Sequence, residues 1–321
     1  MLSGEPWLEI YEYPLFTDAY IIGEITQELG PYQILNNVPM DSGRPALILR
    51  SQKHIKFEIP DMNETQAAAY HGGYEQDEIA ALLSLCLGIR IKAGSANRIF
   101  SNSGDPKGRP ITLHTSRDPI LPISRSSQGY ILKSALGEHS LADIHLFQTF
   151  YRLSQEQANS VIRAARLYQD AIWIVESAPE LSWIMLVSTV EVIANQWRPP
   201  KIRVKQKFID FLLEFLPKPP AERPYLFAQH LWEKDAFSET FSSIYKYRSR
   251  ALHDGSPFPA PMCSPPMPAG EKGEFEEILS ALSASMKGSV WAAKDIPITL
   301  HTFEYIARNA ILNWWQEMVK A

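Results

Sequence analysis

The chain has two cysteines in 321 residues, Cys86 and Cys263, too few for a disulfide framework or a four-cysteine zinc site. It has no apolar run long enough to span a bilayer. The best candidate, Ile184 to Ala194, is broken by Ser188, Thr189 and Glu191, so no transmembrane helix is expected. The N-terminal Met1-Leu-Ser-Gly-Glu-Pro-Trp7 lacks the basic start and apolar stretch of a secretory leader, and a cytoplasmic location is the expectation. The phosphate-cradling Gly-x-x-x-x-Gly-Lys loop, the Gly-x-Gly-x-x-Gly fingerprint, His-Glu-x-x-His and the Gly-x-Ser-x-Gly elbow are all missing. The eight histidines are scattered, none at metal-ligand spacing from another, so neither a metal nor a cofactor is expected. Charged residues are 21% and apolar residues 45%, which excludes wholesale disorder and leaves ample material for a core.

Excess positive charge is also missing. The net charge is −5, which argues against non-specific coating of nucleic acid. Residues 1–140 hold 12 basic and 16 acidic side chains, whereas residues 196–250 hold 11 basic against 6 acidic. That second window is locally cationic inside an acidic protein. It reads either as a solvated helix face or as a phosphate-binding surface carried by Lys201, Arg203, Lys205, Lys207 and Lys246.

The pattern of apolar residues changes along the chain. Trp7 to Tyr13 alternates as a half-buried strand does, and Ala46–Arg50 and His54–Ile59 predict two more strands. Gln76–Leu87 predicts a helix with acids in its first turn and Gly88 just beyond its end, and Ile89–Lys92 alternates again. Ser101 to Ser127, rich in Gly, Pro and Ser, is expected to be mostly loop. Residues 1–140 therefore predict a small α+β domain of unknown role.

From residue 145 to 321 the pattern is helical, and an all-α bundle is expected. Ser154 and Gln157 stand at capping-box spacing before a helix with apolar positions through Val175. Glu180–Trp197 is so apolar that it should be the central helix. Lys205–Leu216 follows, stopped by Pro217, then Ala236–Leu252, with Gly255 placed as a C-terminal cap. Residues 256–270 contain six prolines and predict a flexible or extended insertion before the last helix, Ile298–Lys320.

One short stretch stands out, Tyr245-Lys-Tyr-Arg-Ser-Arg-Ala-Leu-His-Asp-Gly255. Arg248 and His253, four residues between them, close an apolar-striped helix. Two other Arg–His pairs have compatible spacing, Arg109–His114 and Arg223–His230, but Pro110 and Pro224 remove them from helix ends. Upstream, Leu181-Ser-Trp-Ile-Met-Leu-Val-Ser-Thr-Val-Glu-Val-Ile-Ala194 is an apolar run carrying one glutamate, Glu191. Together these resemble the Arg-x(4–6)-His motif and the glutamate-bearing helix of HEPN domains, the higher eukaryotes and prokaryotes nucleotide-binding domains, and more closely their Apea-like group.

The resemblance spans about residues 145–321 and implies a HEPN helical bundle. It also implies a metal-independent endoribonuclease in a toxin–antitoxin or antiviral defence setting. RNA would be the substrate, a homodimer the working unit, and an antitoxin or defence protein the partner. Carried over, His253 is the acid or base and Arg248 the phosphate holder, supported by Glu191, Ser249, Arg250 and Asp254. Histidine exchanges protons near neutrality, and the arginine fork matches phosphate oxygens. Ser249 stands where active members often carry Asn, Asp or His, which keeps open a non-catalytic module that binds RNA, nucleotide or a protein partner. Positions five apart on a regular helix diverge by about 140°. The two side chains converge if the helix stops before His253, or if a second subunit supplies the other half.

Overall fold

The computed structural model describes residues 7–26, 32–36, 47–55, 73–101, 119–121, 129–198, 200–220, 232, 234–269, 274–276, 284–286, 288–292 and 295–320. They form an N-terminal sheet region followed by a mostly helical part. The chain divides into two compact units. One comprises Met1–Leu121 with Ser134–Tyr151, the other Pro122–Lys133 with Arg152–Ala321.

In the first unit, β1 (Trp7–Thr17) is the central strand. It pairs antiparallel with β4 (Leu47–Ile55), which in turn pairs with β3 (Tyr32–Asn36). On its other edge β1 pairs with β5 (Ile91–Ala93) and β6 (Arg98–Phe100). A separate parallel pair joins β2 (Tyr20–Ile22) to β7 (Glu138–Ser140). Helix α1 (Glu75–Leu87) is apolar almost throughout, with Ile79 to Leu85 buried. It ends at Gly88, whose φ of 72° is a left-handed conformation that a side chain would strain.

The two strands expected at 46–50 and 54–59 are in fact one continuous strand, β4; residues 56–59 lie outside the described residues. The interruption expected at 51–53 is absent because β4 pairs with β1 without a break, and the polar side chains at 50 and 51 are bonded. Ser51 donates to Glu75 at 2.9 Å. Arg50 sits directly opposite Glu12 and donates to it through Nε at 2.8 Å. Arg98, opposite Glu12 on the other side, donates at 2.6 Å. Glu12 is fully buried, and two flanking guanidinium groups are what make burial of its charge tolerable. Of the expected loop at 101–127, residues 102–118 and 122–128 lie outside the described residues.

In the second unit, α2 (Gln155–Ile174) starts with the expected capping box. Ser154 accepts from the Gln157 N–H, and the Gln157 side chain accepts from the Ser154 N–H. Helix α3 (Pro179–Trp197) packs against α2, α4 (Val204–Glu214), α5 (Lys234–His253) and α6 (Leu300–Met318), which makes it the centre of the unit. Its burial is a broad stripe rather than complete: Trp183, Leu186, Val187, Val190 and Ile193 are fully enclosed, while Leu181 remains 49% exposed.

Two expectations are corrected. The helical part is not all-α, because short antiparallel pairs lie between α5 and α6: β8 (Met267–Ala269) with β9 (Glu274–Glu276), and β10 (Ala284–Met286) with β11 (Ser289–Trp291). The proline-rich segment, expected as a flexible or extended insertion, is instead packed into the core over most of its length. Phe258 through Pro266 is buried and includes a 3-10 turn at Ala260–Cys263. Phe258 stacks on Trp183 with ring centroids 5.3 Å apart, and Trp183 Nε1 donates to the Met262 carbonyl at 3.2 Å. Prolines have no N–H to satisfy, so a proline-rich strap can cross a core at small hydrogen-bonding cost.

Candidate functional site

The apolar stripe of α5 runs through Phe237, Phe241 and Ile244, all fully buried, and continues at helical spacing onto Tyr245 and Arg248. Arg248 thus stands at the polar end of a core-facing stripe rather than on the solvent face. On α3 the corresponding stripe brings Glu191 opposite. Arg248 Nη2 donates to Glu191 Oε2 at 2.7 Å, and Tyr245 Oη donates to Glu191 Oε1 at 2.9 Å. The Arg248 side chain is 20% exposed and that of Glu191 11%. Arg248 Nε is buried without a hydrogen-bond partner among the described residues. The guanidinium also lies 5.8 Å from the Tyr245 ring centroid, within cation–π range.

The Tyr245 phenol is pushed up to about 12, first by burial and then by its hydrogen bond to Glu191, with Arg248 opposing the shift. Tyr245 is the member that sequence reasoning passed over. Its signal was available: three residues before Arg248, it shares a helix face with it.

His253 is the last residue of α5 and is exposed. Beyond it, the Asp254 N–H donates to the Arg250 carbonyl at 2.9 Å, and Gly255 adopts a φ of 65° as expected of the cap. Because the helix is continuous through His253, Arg248 and His253 diverge by about 140° and are separated by about 7.5 Å along the axis. One copy of the chain does not bring them together. Ser249 is half-buried, whereas Arg250 and Asp254 are exposed. Arg250 and His253 in the last turn complement the negative end of the helix dipole.

Of the cationic residues in the basic window, Lys201, Arg203, Lys205 and Lys246 are exposed. Lys207 is corrected: it is 5% exposed and its Nζ donates to Asn195 Oδ1 at 3.1 Å, so it faces α3 and not solvent. Its spacing from Lys205 places it about 200° round α4, on the core side. The first turn of α4 carries no acid and no side-chain cap, which leaves Arg203 and Lys205 uncompensated against the positive end of that helix.

Among the described residues, no group of three His, Cys, Asp or Glu stands where it could hold a metal ion, and no helix is long and apolar enough to cross a membrane. Cys86 and Cys263 form no disulfide. No family model matches the sequence, and neither a curated protein nor a solved structure matches it significantly.

Proposed function

We propose that the helical part is an Apea-like HEPN module acting as a metal-independent endoribonuclease on single-stranded RNA, in a cytoplasmic toxin–antitoxin or antiviral defence setting. The observation that carries this reading is the Glu191–Arg248 pair with Tyr245. A charged fork is held rigidly at the edge of a helix groove, with part of its surface open to a ligand. Charge-assisted contacts of this kind pre-organise an arginine for a bidentate phosphate.

The chemistry assigned is transesterification. His253 takes the proton from a 2′-hydroxyl, which attacks the adjacent phosphorus. Arg248 holds the non-bridging oxygens as charge builds on them. A second proton carrier, the same residue of a second copy, protonates the leaving 5′-oxygen. The products are a 2′,3′-cyclic phosphate and a 5′-hydroxyl. The divergence of Arg248 and His253 on one helix supports a homodimer in which each copy completes the other's site. Lys201, Arg203, Lys205 and Lys246 supply sequence-independent contacts to the RNA backbone.

The second reading is a non-catalytic module that binds RNA, nucleotide or a protein partner such as an antitoxin. It is favoured by Ser249, which stands where active members often carry Asn, Asp or His.

Purified protein in excess EDTA separates the two. The nuclease reading expects cleavage with cyclic phosphate ends, lost in His253→Ala with folding and RNA binding retained, and poorly restored by Arg248→Lys. Binding should weaken steeply as salt rises. Intact RNA that is nonetheless bound establishes the binding module instead. Cleavage that survives His253→Ala overturns the site.

A further inference from the structure

Between Val192 and Ile209 the chain carries no acidic residue and five basic ones. Lys207 faces α3. The other four, Arg198, Lys201, Arg203 and Lys205, are exposed around the turn from α3 to α4. None of these four side chains has a hydrogen bond or ion pair among the described residues. Local electrostatics opposes two of them. Arg203 is the N-cap of α4 and Lys205 lies in its first turn, where the positive end of the helix dipole disfavours cations. Cations kept unpaired at a cost to their own helix point to an anion that comes from outside.

Arg198 differs from the other three in what lies beneath it. Its Cζ stands over the Trp197 ring, 4.0 Å from the centroid, a stacking separation. The ring is itself anchored. Phe211 on α4 and Phe215 at its C-cap meet the indole steeply, with centroids 5.8 Å and 5.4 Å away and interplanar angles of 73°. The backbone is fixed as well. Pro199 follows Arg198 and restricts it to extended conformations, and its φ of −116° and ψ of 147° end α3 at that point. The result is a planar cation laid on a held aromatic ring, exposed to solvent on its outer side.

We propose that Arg198 on Trp197 is a stacking platform for an unpaired base of single-stranded RNA, an inference that rests on RNA being the ligand of the module. Unstacked bases settle on the planes of arginine guanidinium groups as they do on aromatic rings. Stacking needs a flat head, which arginine has and lysine lacks. Lys201, Arg203 and Lys205 hold the flanking phosphates as charges, so the turn combines a track for the backbone with a plane for one base. Every base has a π-face, and the platform therefore favours single strands over duplex without choosing a sequence.

Fluorescence anisotropy of the full chain with a 2′-O-methyl oligouridylate tests the platform without cleavage, because that strand has no free 2′-hydroxyl to attack. An abasic strand of the same length serves as the comparison. The parent protein should bind the base-bearing strand about tenfold more tightly. Arg198→Lys keeps the charge and loses the plane. It should weaken the base-bearing strand by about the same factor, leave the abasic strand unchanged and preserve the salt dependence of binding. Arg198→Gln keeps a planar head and loses the charge. It should retain a preference for bases while the slope of log affinity against log salt falls by about 0.7. Lys201→Met should weaken both strands equally. Arg198→Lys binding both strands like the parent, or losing both equally, would overturn the platform and leave the RNA reading standing. A parent protein that binds neither strand at low salt would instead overturn the RNA reading on which the platform rests.

Discussion

Glu191 is the residue whose replacement tests the candidate site most directly. Its carboxylate receives both Arg248, at 2.7 Å, and Tyr245, at 2.9 Å. A hydrogen bond to a charged group contributes about 1.5–3 kcal/mol, and removing one partner of a buried ion pair costs about 3–5 kcal/mol. Arg248 retains 20% side-chain exposure, so water recovers part of the loss. Glu191→Gln keeps the shape and an acceptor but removes the charge, and should destabilise the helical unit by about 2 kcal/mol. Glu191→Ala strands both partners and should cost about 3 kcal/mol.

The assay is urea unfolding followed by tryptophan fluorescence, run as a double-mutant cycle with Arg248→Met. A coupling energy of about 1.5–2 kcal/mol is expected. The double replacement Glu191→Met with Arg248→Met should recover much of the stability, because it leaves no unpaired buried charge, and yet show no RNA cleavage. That combination separates the guanidinium's part in phosphate binding from its part in folding, which Arg248→Ala alone cannot do. A coupling below about 0.5 kcal/mol would show that the pair does not hold the groove together. The reasoning would then fail.

Two further outcomes follow from the same unit. Phe258→Ala removes a ring that is 1% exposed and stacked on Trp183, and should cost about 3–5 kcal/mol with a change in near-ultraviolet circular dichroism; a cost under about 1 kcal/mol would mean the proline-rich strap is not part of the core. The phenol of Tyr245, pushed up to about 12 from the ordinary 10, stays protonated in the folded chain after the unfolded chain has begun to ionise. Its contribution to stability is therefore complete below about pH 10 and is lost as pH rises towards 12. Tyr245→Phe should flatten that alkaline segment of the stability profile, and Glu191→Gln should bring the phenol down as read from tyrosinate absorbance.

The sequence by itself determined what depends on neighbours along the chain. Ser154 and Gln157 specify a capping box because both groups lie within one turn of the backbone they bond. Gly88 and Gly255 mark helix ends because positive φ is a local property. The run from Leu181 to Ala194 announces a central helix through its own hydrophobicity, and Glu191 within it announces a buried charge in need of a partner.

Only the tertiary structure decided which partner. Glu191 and Arg248 are 57 residues apart, and any cation brought near could have answered. The same holds for β4: residues 51–53 read as a break between two strands until β1 is placed alongside and pairs through them. Lys207 counts as one more positive charge in a basic window, and its burial depends on α3 standing beside it. The strap at 258–266 has the composition of a solvated loop, because proline content reports the missing N–H groups and not whether Trp183 waits to receive Phe258. Local chemistry sets which elements form, while burial and pairing of charge are properties of what the fold brings alongside.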